Sequence, residues 1–159
     1  MKRRIAHRGV IDGNYSGKEN TIASIISSLK QGYEVEVDVI FDGDTFYLGH
    51  DRPQERLQDL WNNMRLQRSW LPYSGIWYHC KDDGSLDYFK KQGIHNYFFH
   101  DLDGFTMTSK GHFWTADIQM RYPVDTFVVA KTIGDTHELL KTNCSGICSP
   151  FVGAVLNVN

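Results

Sequence analysis

The chain has 159 residues, a length that fits one domain, and its 41% hydrophobic and 13% aromatic content is enough to bury a core. A net charge of −2 gives no electrostatic case for nucleic acid, and no apolar run approaches the roughly 20 residues that cross a bilayer. The basic start MKRRIAHRGV has no apolar stretch behind it, so no signal peptide is expected. The odd count of three cysteines suits reduced thiols in a cytoplasmic protein better than a disulfide framework.

The elements alternate from the start. RIAHRG at 4–9 reads as a short strand, and 9–19 as a polar, glycine-containing loop. Asn20 or Thr21 can cap a helix in which Ile22, Ile25, Ile26 and Leu29 recur at helical spacing, and Gly32 can end it. EVEVDVIF at 34–41 is a second strand, with Val35, Val37, Val39 and Phe41 on one face and Glu34, Glu36 and Asp38 on the other. DGD at 42–44 is a turn signal, and TFYLGH then runs back as a hairpin partner. A helical pattern over 54–70 is followed by a strand at 75–81 and a short helix at 85–93. Strands are predicted at 95–101, 111–117, 126–132 and 146–152, with a helix over 135–143 between the last two.

Repeated β-then-α order predicts parallel strands with helical crossovers, and about seven such strands suggest a closed barrel. Such barrels usually need about 200 residues or more. The links at 101–111 and 117–125 are too short, and too marked by glycine or proline, for full helices. The expected fold is α/β: one reduced TIM-like (β/α) barrel over 1–159, with at least two crossover helices missing. Outer strand faces left bare would be polar or covered by a partner chain, as in a homo-oligomer.

In a barrel the valines of the second strand meet the helices, and Glu36 and Asp38 look inward. Two inward carboxylates about 7 Å apart along a strand repel each other and lose hydration, and a bound divalent cation removes both penalties. The same alternation also suits an antiparallel strand with one wet face. The hairpin brings His50 within a residue or two of Asp38, His7 ends the neighbouring first strand, and His79 and Lys81 share one face of the third. These groups gather at the C-terminal strand ends, where barrel active sites lie. Trp77, Phe98, Phe99 and Trp114 read as core, Trp114 having an alternative use as a stacking platform. His100, Asp103 and Lys110 are secondary candidates for the pocket. Cys144-x3-Cys148 has no second pair to complete a zinc site.

HRG at 7–9, ENT at 19–21, EVDV at 36–39 and HD at 50–51 occur in the order and at about the spacing of the glycerophosphodiester phosphodiesterases. The chain resembles this family, within the wider phosphatidylinositol-phospholipase-C-like superfamily. WYHCK, NYFFHD, TSKGHFWT and GICSPF further resemble its short single-domain members. The resemblance implies His7 and His50 as the general acid/base pair, and Glu36 and Asp38 as metal ligands. It implies Arg8 and Lys81 as phosphate contacts, and Glu19 at the metal site or just behind it. His79 stands where larger members place a metal-binding Glu. It could ligate through a ring nitrogen, but with one negative charge fewer, which relatively favours Mn²⁺ or Zn²⁺ over Ca²⁺ or Mg²⁺. Pro150, in SPF at 149–151, replaces a frequent Asp.

The expected function is a metal-dependent phosphodiester hydrolase (Mg, Ca or Mn) acting on a small-molecule phosphodiester. One histidine would accept the nucleophile's proton and the other would protonate the leaving alkoxide. The alternative is a catalytically silent phosphate-ligand-binding domain on the same barrel. Against it, binding a phosphate does not require both an acid and a base. A lyase or aldolase with a carboxylate-bound metal would leave the His-Arg pair without a use.

Overall fold

The structure, a computed structural model, describes residues 1–66 and 75–156. Its strands are β1 (Arg3–His7), β2 (Glu34–Phe41), β3 (Phe46–Leu48), β4 (Glu55–Arg56), β5 (Ile76–Cys80), β6 (Tyr97–Phe99), β7 (Phe105–Met107), β8 (Phe113–Thr115), β9 (Thr126–Val129) and β10 (Gly146–Ser149). Its helices are α1 (Ile22–Lys30), α2 (Leu57–Leu66), α3 (Asp83–Lys91), α4 (Ile133–Leu140) and α5 (Val152–Leu156). Among the described residues, no helix is long and apolar enough to cross a membrane.

Seven strands are parallel, in the order β6-β5-β2-β1-β10-β9-β8. Apart from β8, each lies beside its predecessor among these seven, and β10 returns beside β1. This is the single winding of a TIM-like barrel. The remaining place, between β8 and β6, is taken by β7. It runs antiparallel to β8 and reaches β6 through Thr106 Oγ1, which donates to Phe99 O at 2.7 Å, and through Ser109 N, which donates to Tyr97 O at 2.8 Å. The sheet thus curls into a reduced barrel.

The expected economy of helices is present: β7 occupies part of the 101–111 link, and no helix lies in 117–125. β7 was not expected from the sequence, because a three-residue strand with both termini exposed carries no periodic signal. The second helix starts later than its expected bound at residue 54. Gln54 N donates to Leu48 O, and Glu55 and Arg56 pair with β3, so the helix begins at Leu57. The predicted stretch 67–70 lies outside the described residues. Where crossover helices are lost, the outer wall carries exposed Phe99, Phe105 and Met107, so of the two expected outcomes, a polar face or one covered by a partner chain, the polar one does not hold.

Strand alternation builds two kinds of core. Ile5, Trp77, Phe98, Trp114, Phe127 and Cys148 point inward and fill the barrel. Trp114 is stacked on Phe98 with centroids 4.4 Å apart, so it is buried and is not a substrate platform. Val35, Val37, Val39, Ile76, Tyr78 and Cys80 point outward under the helices, and Val128, Ile147 and Cys144 lie in a third cluster with Leu139 of α4. Cys144 and Cys148 therefore belong to different cores, and all three cysteines are free and buried. Lys110 sits over the Trp77 ring, whose Nε1 donates to Glu34 at the start of β2. This places Lys110 by the N-terminal end of the barrel, away from a phosphate at the opposite mouth.

The two walls make a stability contrast. Trp77→Ala, in the filled interior, should cost about 3–5 kcal/mol, whereas Phe105→Ser, on the bare wall, should change stability by less than about 0.5 kcal/mol. Urea titration of both variants measures the difference.

Candidate active site

At the C-terminal mouth the inward positions are polar. The register sets His7 beside Glu36, and Asp38 beside His79. Glu36 and Asp38 are both almost fully buried, at 3% and 1% exposure. Their neighbours explain how this is tolerated. Asn20, itself buried, clamps Asp38 from both sides: its Nδ2 donates to Asp38 Oδ2 at 3.0 Å, and its Oδ1 accepts from Asp38 N at 2.9 Å. Arg8 Nε lies 3.0 Å from Asp38 Oδ2, and Arg8 N donates to Glu36 Oε2 at 3.1 Å.

These contacts need an unusual backbone. Arg8 and Asn20 both have positive φ, 53° and 55°, a region that L residues seldom occupy away from turns and functional sites. Asn20 N donates to Arg8 O at 2.9 Å, locking the two bends together. Gly9 follows with φ 79°, and a Cβ there would stand 2.8 Å from Ser24 Oγ, so the HRG turn accepts no larger residue without a shift. Thr21, not Asn20, caps α1, accepting from Ser24 N. The sequence allowed Asn20 either as cap or as nothing further. Its grip on Asp38 is a contact 18 residues away that local patterning does not encode.

The electrostatics follow from burial. Glu36 titrates well above the usual carboxylate range, first because it is buried and then because Asp38 is beside it. Burial opposes ionisation of Asp38 as well, but His79 and Arg8 outweigh it and hold the pKa below the ordinary value. His7 is pushed down to about 3 by burial and by the Arg8 charge, so its ring is neutral near pH 7.

A divalent cation fits this donor set. Glu36, Asp38 and His79 each offer one ligand atom, all within 4.8 Å of one another. His79 Nε2 meets the backbone carbonyl of His100 at 3.0 Å and must donate there, because a carbonyl only accepts. Its Nδ1 is left facing the carboxylates, 2.9 Å from Asp38 Oδ1 and 3.7 Å from Glu36 Oε1. With the His79 hydrogen on Nε2, the buried Asp38 Oδ1 receives no hydrogen bond from Nδ1. A buried carboxylate oxygen without a hydrogen bond, next to a histidine whose far nitrogen is fixed by a carbonyl, is how metal-ligating histidines are commonly supported.

The other candidates surround this cluster. Glu19 Oε1 accepts from Arg8 Nη1 at 2.7 Å, so it bears on the cluster through Arg8 and not as one of the three grouped ligands. Lys81 continues from β5, its N–H bonded to Val39 O, and its charge acts on Glu36. His50 is one residue past Gly49, whose N–H donates to Asp38 O. The His50 ring contacts Asp51 at 2.6 Å, and it lines a cavity of about 340 Å³ with Arg8, Glu19, Asn20, Asp51 and Arg52. Of the secondary candidates, His100 contributes its carbonyl, while its ring bonds the Asp103 backbone.

Two residues were missed. Lys131 follows β9 at the rim, and its charge acts on His7. Phe127, Val129 and Lys131 continue one period-2 series, which would have flagged it. Tyr15 sits in the loop after β1 and places its hydroxyl 3.0 Å from His7 Nδ1. Nothing in the sequence of that loop marks it.

Comparison with solved structures matches this architecture. A glycerophosphodiester phosphodiesterase from Agrobacterium tumefaciens str. C58 superposes with a TM-score of 0.62 at 14% identity, covering 100% of both chains. A putative glycerophosphoryl diester phosphodiesterase from Silicibacter pomeroyi DSS-3 gives 0.60 at 12% identity, covering 98% of this chain and 92% of the other. No family model matches the sequence, and neither does any curated protein. The fold is that of the glycerophosphodiester phosphodiesterases, as the HRG, ENT, EVDV and HD motifs led us to expect.

If the three ligands act together, Mn²⁺ should bind the protein, and Asp38→Asn or His79→Ala should weaken it severely. Asn20→Ala, which frees Asp38 to rotate, should lower affinity about 10- to 100-fold, as loss of a ligand's supporting partner does. Titration calorimetry with Mn²⁺ reads all three.

Proposed function

We propose that the protein is a metal-dependent phosphodiester hydrolase. The observation that carries this reading is the juxtaposition at one barrel mouth of a buried Glu36–Asp38–His79 cluster, the cations Arg8 and Lys81, and His7. Glu36, Asp38 and His79 would hold the cation, with Glu19 supporting the site through Arg8. When bound, the cation supplies charge neutralisation at the phosphate and acidifies a bound water or substrate hydroxyl. Arg8 and Lys81 neutralise non-bridging oxygens as charge develops on them. The Arg8 fork is already oriented by Glu19 and Asp38, so little ordering remains to be done on binding.

The two histidines divide the proton transfers. His7, neutral in its buried position, accepts the proton of the attacking water or substrate hydroxyl through Nε2. This is the ring nitrogen that faces Glu36 Oε2, at 3.9 Å. His50, at the more open rim, delivers a proton to the departing alkoxide, which is otherwise a poor leaving group. Similarity to the phosphodiesterase structures supports this reading. A silent phosphate-binding domain would not require both an acid and a base, His7 and His50.

The test is turnover of glycerophosphodiesters in Mn²⁺, Mg²⁺ or Ca²⁺. Chelation should abolish it. His7→Ala and His50→Ala should each lower the rate about 10²- to 10⁴-fold while leaving Mn²⁺ binding largely intact. An activated nitrophenyl diester should rescue His50→Ala and not His7→Ala. Near-native rates for both variants on an unactivated diester would instead establish the binding-domain reading.

A further inference from the structure

We propose that Tyr15 is a positioning residue for His7: its phenol oxygen accepts the Nδ1 hydrogen, leaving the Nε2 lone pair turned into the site. This deepens the hydrolase reading and rests on it for the use of Nε2. The geometry itself is independent of the reaction. The Tyr15 hydroxyl is 3.0 Å from His7 Nδ1, and the two rings stand edge to face at 87°. With Nδ1 occupied, Nε2 is the ring atom left to face Glu36.

A hydroxyl suits this task. An imidazole that gains a proton at Nε2 must still place its Nδ1 hydrogen, and a phenol oxygen accepts it in both protonation states. A carboxylate would also accept, but it would add a third acid to a buried site already holding Glu36 and Asp38, with its desolvation uncompensated. Burial keeps the phenol itself protonated, so Tyr15 brings an acceptor without bringing a charge.

The loop that carries Tyr15 is seated from a distant part of the chain. Gly13 N donates to Pro150 O at 2.8 Å. Gly13 has φ 75° and packs against the Phe151 ring, where a Cβ would overlap it. Phe151 is in turn fixed by its N–H, which donates to Ser149 Oγ at 3.1 Å. Asp12 and Asn14 accept from the backbone N–H groups two residues on, and Lys18 pairs with Asp12. The SPF segment at 149–151 thus serves as the anchor that sets Tyr15 over His7.

Two measurements test this. In the wild-type protein, ¹⁵N shifts of neutral His7 should report hydrogen on Nδ1 and a free Nε2. In Tyr15→Phe, which keeps the ring and loses only the hydroxyl, the tautomer should shift toward Nε2–H. The kcat for glycerophosphocholine in Mn²⁺ should then fall about 10- to 100-fold, the usual cost of removing a supporting partner, with KM and Mn²⁺ affinity unchanged. A packing role alone would leave the tautomer where it was. Hydrogen on Nε2 in the wild type, or an unchanged tautomer in Tyr15→Phe, overturns the proposal. A wild-type protein that turns over no diester while showing the expected tautomers overturns the hydrolase reading and leaves the Tyr15–His7 pairing standing.

Discussion

Two carboxylates, Glu36 and Asp38, are buried two residues apart on one strand, and the rest of the mouth is arranged around them. Unpartnered, such a pair would be expelled to water or would neutralise itself by taking up protons. Here the cost is met by Asn20 on both sides of Asp38, by the Arg8 guanidinium and by the Arg8 backbone N–H. Meeting it requires left-handed backbone at Arg8 and Asn20 and a glycine at position 9. The two sequence motifs HRG and ENT are therefore one structural device, bent so that both reach β2. Even so, Asp38 Oδ1 is left facing His79 Nδ1 at 2.9 Å.

The barrel below the mouth is a support of minimum length. It keeps the one feature on which the site depends, a set of parallel strands whose C-terminal ends converge, and it drops what does not bear on the site. Helices remain where they cover β1, β2, β5, β6, β9 and β10. The side built from β7 and β8 is closed with an antiparallel strand, and Phe105 and Met107 lie exposed on it. The lumen is plugged by Trp77, Trp114, Phe98 and Phe127. Large rings fill the interior with few residues, and rings at the base of the site leave little room for water behind the buried acids. His79 is stacked on Phe98, at 4.8 Å and 9°, so the same aromatic floor that fills the barrel also fixes the plane of a candidate ligand.

The two histidines of the mouth sit in different settings. His7 is enclosed, near the charges of Arg8 and Lys131, and is kept neutral. His50 is at the rim against Asp51. Two imidazoles with the same intrinsic chemistry thus differ in burial and in what stands at Nδ1, a phenol for one and a carboxylate for the other.

The sequence by itself determined the alternation. With a period of two in the strands, Glu36 and Asp38 had to share a face opposite Val35, Val37 and Val39, and His79 had to sit opposite Tyr78. The β-then-α order made the sheet parallel, and the short links at 101–111 and 117–125 ruled out two helices. These are local properties, set by backbone geometry and chain length. Only the tertiary structure decided what the inward residues meet. The Asn20 clamp, the His79–His100 carbonyl contact, the insertion of β7 and the seating of Tyr15 through Pro150 and Phe151 join residues that are far apart in the chain. Their partners come together only when the sheet curls, so no local pattern of residue types carries them.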